Sequence, residues 1–523
     1  MRDFQLPGRS AVYTENGMAA TSHPLAAKVA IETLEAGGNA VDAALAGAVL
    51  LGICEPQMTG IGGDCFVLVK PAGSEQIIAL NGSGRAPAGL SADAMRAAGH
   101  QKVPLRGIES VTMPGAVDAF CRLSADYGRL GLDRVLAPAI RYAEEGVPVA
   151  PRVAFDWAED APALQGDARR FYLGNEGPPK PGTIFRAPGQ AEVLRRIVKE
   201  GRAGFYEGEV AEDMISSLRA QGGSHDLTEL AATKSTLADP ISGAYKGLEL
   251  FEHPPNGQGA TAILMLNILS HFDLAALDPF GAARAHIEAE AAKLAYDARN
   301  RFIADSTAGL DHMLSLQTAS KLAALIDHRR AMPVARPLSE AVHKDTVYIT
   351  VVDRDRMAVS LIYSVFWGFG SGLASAKFGI NFQNRGAGFT LEPGHPNEAG
   401  GGKRPMHTII PGMVKRAGRM VMPFGVMGGA YQPCGHARLI TNLEDFGMEL
   451  QDAIDAPRCF SGTDGMAIER GYSAQVQAEL AEMGHEISIA PEPIGGAQAI
   501  VISDDGGLIG GSDPRKDGCA LGY

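Results

Sequence analysis

Thr346 stands in the stretch His343-Lys344-Asp345-Thr346-Val347-Tyr348-Ile349-Thr350-Val351-Val352-Asp353, where an apolar, β-branched run begins directly after it. Taken alone, a threonine at the head of a strand is an ordinary strand residue. A threonine hydroxyl is a weak nucleophile and needs a base. If the peptide bond before Thr346 is cut, the residue's own α-amine becomes that base, at a distance fixed by covalent geometry. The ordinary α-amine pKa of about 7.7–8.0 leaves a usable free-base fraction near neutral pH. Acyl transfer also needs donors for an oxyanion. Successive backbone N–H groups in a glycine turn can supply them. Gly428-Gly429, within Phe424-Gly425-Val426-Met427-Gly428-Gly429-Ala430, is the candidate, although a Gly-Gly pair on its own is most simply a tight turn.

The elements that must position these residues are legible in outline. Residues 19–51 are Ala-rich with Gly37-Gly38-Asn39 in the middle, which predicts two helices around a turn. Thr59-Gly60-Ile61-Gly62-Gly63-Asp64 reads as a loop leading into a strand over 65–69, with a second strand over 77–80. Residues 91–237 are mainly helical in pattern, with helices expected over 130–146, 191–200 and 208–221. A further helix runs from His286 to about Phe302, with Ile287, Leu294 and Ala298 on one face. Residues 306–344 are the least regular part of the middle and suit the upstream side of a cleavage junction. Strands are expected over 348–352 and 358–363, and near 409–410 and 421–422.

The ordered set Thr346, Tyr363-Ser364, Gly370-Ser371-Gly372, Lys403-Arg404-Pro405 and Gly428-Gly429 resembles the start of the small subunit of the γ-glutamyltranspeptidase family. Asn39-Ala40-Val41-Asp42-Ala43, Val111-Thr112-Met113-Pro114-Gly115, Pro254-Pro255-Asn256-Gly257-Gln258-Gly259 and the terminal Asp513-Pro514-Arg515 are similar to further pieces of that family. The resemblance implies an α+β fold, the four-layer αββα sandwich of the N-terminal-nucleophile hydrolases. It implies self-cleavage between Asp345 and Thr346 into a large segment, 1–345, and a small segment, 346–523, that share one domain as a heterodimer. Association of two heterodimers is left open. It assigns Thr346 as nucleophile, Ser364 as a hydroxyl bonded to it, and Gly428 and Gly429 as the oxyanion turn, with no cofactor.

The chain also departs from the family's pattern. The family's asparagine position two residues after Ser364 is Phe366. An acidic position falls on Gly388, within Asn384-Arg385-Gly386-Ala387-Gly388-Phe389. The paired serines after Arg-Pro are replaced by His407-Thr408. Losing the acid that would pair an α-ammonium weakens the case for an amino-acid head group, while Arg85 and Arg385 support a substrate carboxylate. Arg385, Arg85, Asn384, His407 and Thr408 are therefore the expected substrate-binding residues. The loop over 390–402 is short and has no aromatic residue, which predicts hydrolysis over transfer.

Composition narrows the function classes. The chain has 523 residues, 46% apolar and 20% charged, with a net charge of −13. No Lys/Arg run stands out, so a nucleic-acid partner is not expected. The longest apolar run, 43–53, is too short for a membrane span, and no secretory signal is visible, so a cytoplasmic protein is expected. The six cysteines are scattered and read as reduced thiols. Thirteen histidines include no His-Glu-x-x-His, so no metal is expected. The expected function is hydrolysis, with transfer open, of a γ-glutamyl compound such as glutathione or a related small acid amide. An oxamate-type amidohydrolase or a cephalosporin/glutaryl acylase is the alternative, and an unprocessed binding protein the non-enzymatic one.

Overall fold

The computed structural model describes residues 5, 8–174, 177–332, 346–462 and 465–523. Two seven-stranded sheets form its centre. The first runs, edge to edge, Cys519–Gly522, Met18–Thr21, Val347–Val352, Ala358–Ser364, Asp64–Lys70, Ile78–Gly82 and Thr236–Ala238. The second runs Val12–Thr14, Leu508–Ser512, Gly496–Ile502, Arg419–Met427, Gly412–Arg416, Leu248–Glu252 and Ile241–Tyr245. Every neighbouring pair in both sheets is antiparallel. Strands from both sides of residue 345 are thus interleaved in each sheet.

The sheets face one another across a narrow core in which Phe66, Tyr348, Ile362, Ile409 and Met427 are all fully buried. A Cβ at Gly425 would lie 2.4 Å from the Tyr348 ring, so glycine is what lets this strand approach. Ser360 Oγ donates to the Phe424 carbonyl at 3.1 Å, a polar stitch between the layers.

Each outer face carries a helix that is apolar all round, the signature of an element with no solvent side. Ala40–Cys54 is buried at all 15 positions and packs into the core of the first sheet. Its start is fixed by a capping box: Asn39 Oδ1 accepts from Val41 and Asp42 N–H, and Asp42 accepts from Asn39 N–H. Gly259–Leu269 is buried at all 11 positions, against the second sheet, Ala282–Phe302 and Gln432–Glu444. The result is the four-layer αββα arrangement.

The expected helices appear as Leu132–Glu145, Pro188–Glu200, Gly208–Ala220 and Ala282–Phe302. Three local expectations are corrected. Met18–Thr21 is a strand, because ladders to Val347–Val352 and Cys519–Gly522 override the helix propensity of its alanines. Ile409-Ile410 is buried but not a strand: Ile410 N–H is taken by Gln432 Oε1 at 2.8 Å, and the strand starts at Gly412. The irregular middle holds two short helices, Leu310–Leu314 and Leu316–Ala323.

Candidate active site

The site begins at the ends of three adjacent strands. Val347 faces Tyr363, so Thr346 falls opposite Ser364, and Ser364 itself faces Asp64. All three side chains are fully buried. Thr346 Oγ1 donates to Ser364 Oγ at 3.5 Å, long for a hydroxyl pair, so the contact orients more than it binds. Ser364 Oγ also accepts the Phe366 N–H at 2.8 Å. Asp345, the expected partner at the cleavage point, lies outside the described residues.

Asp64 knots the site together. Its Oδ1 accepts from Gly84 N–H at 2.9 Å, Gly115 N–H at 3.1 Å and Gln383 Nε2 at 2.9 Å. Its Oδ2 accepts from His407 Nε2 at 3.2 Å. Burial pushes the carboxyl up to about 6, against the pull of Arg385, Gln383 and the two backbone donors. His407 is held well below the ordinary histidine value by burial first, then by Arg385, His253 and Arg404. The Asp64–His407 contact is therefore a hydrogen bond from a neutral imidazole rather than an ion pair. His407 Nδ1 accepts the Ile409 N–H at 3.4 Å, which puts the ring proton on Nε2, facing Asp64.

Arg385 is fully buried at the end of the same cluster. Its Nη1 donates to Thr408 Oγ1 at 3.0 Å, and its guanidinium lies 3.9 Å over the Phe366 ring. Gln258 Nε2 donates to the Thr408 carbonyl at 2.6 Å and to the Gly429 carbonyl at 3.0 Å, while its Oε1 accepts from Arg299 at 2.9 Å. Thr408 and the glycine turn are thus tied by one amide.

Gly428-Gly429 ends the strand Arg419–Met427 and leads through a short turn into the helix Gln432–Glu444. Both residues have positive φ, 122° and 53°, a conformation in which successive N–H groups can converge on one oxygen. A Cβ at Gly428 would also sit 2.9 Å from Gly495 Cα. The positive end of the helix dipole lies just beyond.

Two expected binding residues sit differently. The Arg85 side chain is 48% exposed and is bonded to Asp305 at 2.8 Å and the Gly402 carbonyl at 2.9 Å. Asn384 is buried with its amide engaged structurally, accepting from Trp367 N–H at 3.1 Å and donating to the Leu105 carbonyl at 2.7 Å. The first bond ties the segment after Ser364 to Asn384, and the second anchors Asn384 to the chain at Leu105. Within that segment Phe366 has φ of 84°, a conformation that costs a non-glycine residue about 1–3 kcal/mol.

Phe366 is also a wall. It lines a cavity of about 670 Å³ together with, among others, Lys102, Trp367, Phe389, His395 and Met406. The short loop after Phe389 forms part of this lining, pinned by His395 Nε2 to the Asn300 carbonyl at 2.8 Å. Sequence reasoning named neither Asp64 nor Gln258 as a site residue. The available signal for Asp64 was a carboxylate opening an otherwise apolar strand; for Gln258 it was an amide held inside a Pro/Gly-rich turn.

A family model described as gamma-glutamyltranspeptidase matches residues 26–523. The chain is 34% identical to a glutathione hydrolase-like YwrD proenzyme of Bacillus subtilis, over 97% of this chain and 98% of that protein. It is 34% identical to an oxamate amidohydrolase proenzyme of Klebsiella pneumoniae, again over 97% and 98%. Among solved structures it is similar to a cephalosporin acylase from Bacillus halodurans, with a TM-score of 0.92 and 36% identity over 100% of this chain and 99% of that one.

Proposed function

Because the chain belongs to the gamma-glutamyltranspeptidase family, we propose that it is a self-processing amide hydrolase with Thr346 as nucleophile. The Thr346 hydroxyl attacks the Asp345 carbonyl carbon. An N→O acyl shift turns the amide into an ester and frees the Thr346 α-amine; water then hydrolyses the ester, releasing the Asp345 carboxylate and restoring the Thr346 hydroxyl. The two pieces stay together because both contribute hydrogen-bonded strands to each sheet. Thr346 then attacks the substrate amide, with its own amine taking the hydroxyl proton and passing it to the leaving amine. The Gly428 and Gly429 N–H groups hold the oxyanion. Water resolves the acyl-enzyme.

The acyl group is that of a γ-glutamyl compound such as glutathione or a related small acid amide. The observation that carries this reading is the burial of Arg385 beside Thr408 and Phe366. A guanidinium fork in a dry site matches a carboxylate with two parallel bonds. Within that class, Asp64 favours an acid without an α-ammonium. Its oxygens already accept four bonds from neutral donors, which leaves it little capacity for a second cation.

A second, acylase-type reading is favoured by the cavity that Phe366 lines. About 670 Å³ is far more room than ammonia, the leaving group of a primary amide such as oxamate, needs. It suits a bulky amine. A panel of γ-glutamyl anilides, glutathione, glutaryl amides of increasing leaving-group size and oxamate separates these readings. Turnover of the bulky glutaryl amides ahead of the others supports the acylase reading, and turnover of oxamate alone contradicts it. Arg385→Ala should lower kcat/KM for the best substrate by about 30- to 1,000-fold, the equivalent of about 2–4 kcal/mol. A loss no larger for acid amides than for uncharged ones would remove Arg385 from carboxylate binding.

A further inference from the structure

Away from the site, His286, Glu290 and His485 bring one ligand atom each to within 4.8 Å of one another, and all three are buried. His286 and Glu290 lie one turn apart on the helix Ala282–Phe302, and His485 follows the helix Ala474–Glu482. His286 Nδ1 faces His485 Nε2 at 2.7 Å. From these positions we propose a divalent-metal site of the zinc class, held by His286 Nδ1, His485 Nε2 and a Glu290 carboxylate oxygen. It departs from the sequence expectation, since the far-off His485 is invisible to a local motif search.

The donor set is two imidazoles and a carboxylate, a combination that zinc accepts. The second shell is also in place. His286 Nε2 donates to the Asp327 carbonyl at 2.7 Å, which turns its Nδ1 lone pair toward the cluster. With metal–ligand distances of about 2.0–2.2 Å, neighbouring ligand atoms stand about 3.3 Å apart. The two rings must therefore open by roughly half an ångström and Glu290 must swing inward. The ion takes the place of the hydrogen between the rings. His485 carries that hydrogen on Nδ1 instead, and no net proton is lost.

Lys293 is the competing charge. Its Nζ donates to Glu290 Oε1 at 2.7 Å and to the Met332 carbonyl at 3.0 Å, while Met332 N–H donates to Glu290 Oε2 at 2.8 Å. The same helix face therefore grips the chain at Met332. His286 and Glu290 precede the proposed cut before Thr346 and His485 follows it, so a bound ion cross-links the two fragments.

The test is a Co²⁺ titration of the chelator-treated, full-length protein, read by visible absorption and repeated with Zn²⁺ by calorimetry. The expected result is one ion per chain with Kd of about 1 μM or tighter, Co²⁺ displaced by Zn²⁺, and a melting temperature raised by Zn²⁺. His485→Gln, checked for folding by circular dichroism, should weaken binding at least about 30-fold and lose the thermal shift. No saturable binding by the wild-type protein would mean that the two rings are only hydrogen-bonded. Undiminished binding by folded His485→Gln would place the ion elsewhere. Either result overturns the proposal.

Discussion

Two buried aspartates show how differently this fold treats a carboxylate. Asp513 is bonded by Arg458 Nη2 at 2.5 Å, Arg515 Nη1 at 3.2 Å and the N–H groups of Ala497 and Arg515. Burial works against its charge, but Arg458 and then Arg515 outweigh it and draw the carboxyl down to about 2. Asp64 is just as buried, yet its four bonds come from neutral donors, and its carboxyl rises to about 6. The first is a charge fully paired for stability. The second is a charge held in place at a net cost, beside a candidate nucleophile, which is where such under-compensated groups concentrate. The terminal Asp513-Pro514-Arg515 is also similar to a piece of the family, yet its environment marks it as structural.

The largest effect that would sharpen this contrast is at Asp513. Asp513→Asn leaves the buried Arg458 and the partly buried Arg515 short of a partner and should cost about 3–5 kcal/mol at neutral pH, read by urea denaturation. Because the folded pKa is depressed, the stability Asp513 contributes is present above about pH 4 and lost as pH falls toward 2. Asp64 has the opposite sign. Its folded pKa lies above the ordinary 3.8, so its contribution is best below about pH 4 and declines as pH rises through 6. Asp64→Asn should cancel that decline, shifting the stability difference in the variant's favour by up to about 3 kcal/mol between about pH 4 and pH 8. Processing should slow at the same time. If both variants show the same pH dependence, the distinction between the two carboxylates fails. The smallest effect is at Ser364, where Ser364→Ala removes a weak contact to Thr346 and the acceptor of the Phe366 N–H. About 1 kcal/mol of stability and roughly a tenfold slower cleavage are expected, read by calorimetry and gel densitometry.

Much of this arrangement was legible before the structure. The apolar run after Thr346, the strand ending in Ser364 and the Gly428-Gly429 turn all carry local signals: β-branching, alternation and glycine. Long helices such as Ala282–Phe302 were legible for the same reason. What stayed hidden was set by distant partners. Met18–Thr21 is a strand only because two neighbours pair with it. Arg85 and Arg385 look alike in sequence; a bond to Asp305 holds one at the surface, while the cluster around Thr408 encloses the other. Asp64 gained its meaning from Gly84, Gly115, Gln383 and His407, which come from four separate stretches of chain. Gln258 likewise shows its role only where Thr408 and Gly429 meet it.

The central claim is that Thr346 becomes a chain terminus. Denatured intact mass of the purified protein, with N-terminal sequencing of any smaller fragment and Thr346→Ala alongside, tests it directly. The account predicts two fragments from the wild type, the smaller beginning Thr-Val-Tyr-Ile-Thr, and one uncut, inactive chain from the variant. A wild-type chain that stays whole after long incubation, or a Thr346→Ala protein that is cut and active, would contradict it.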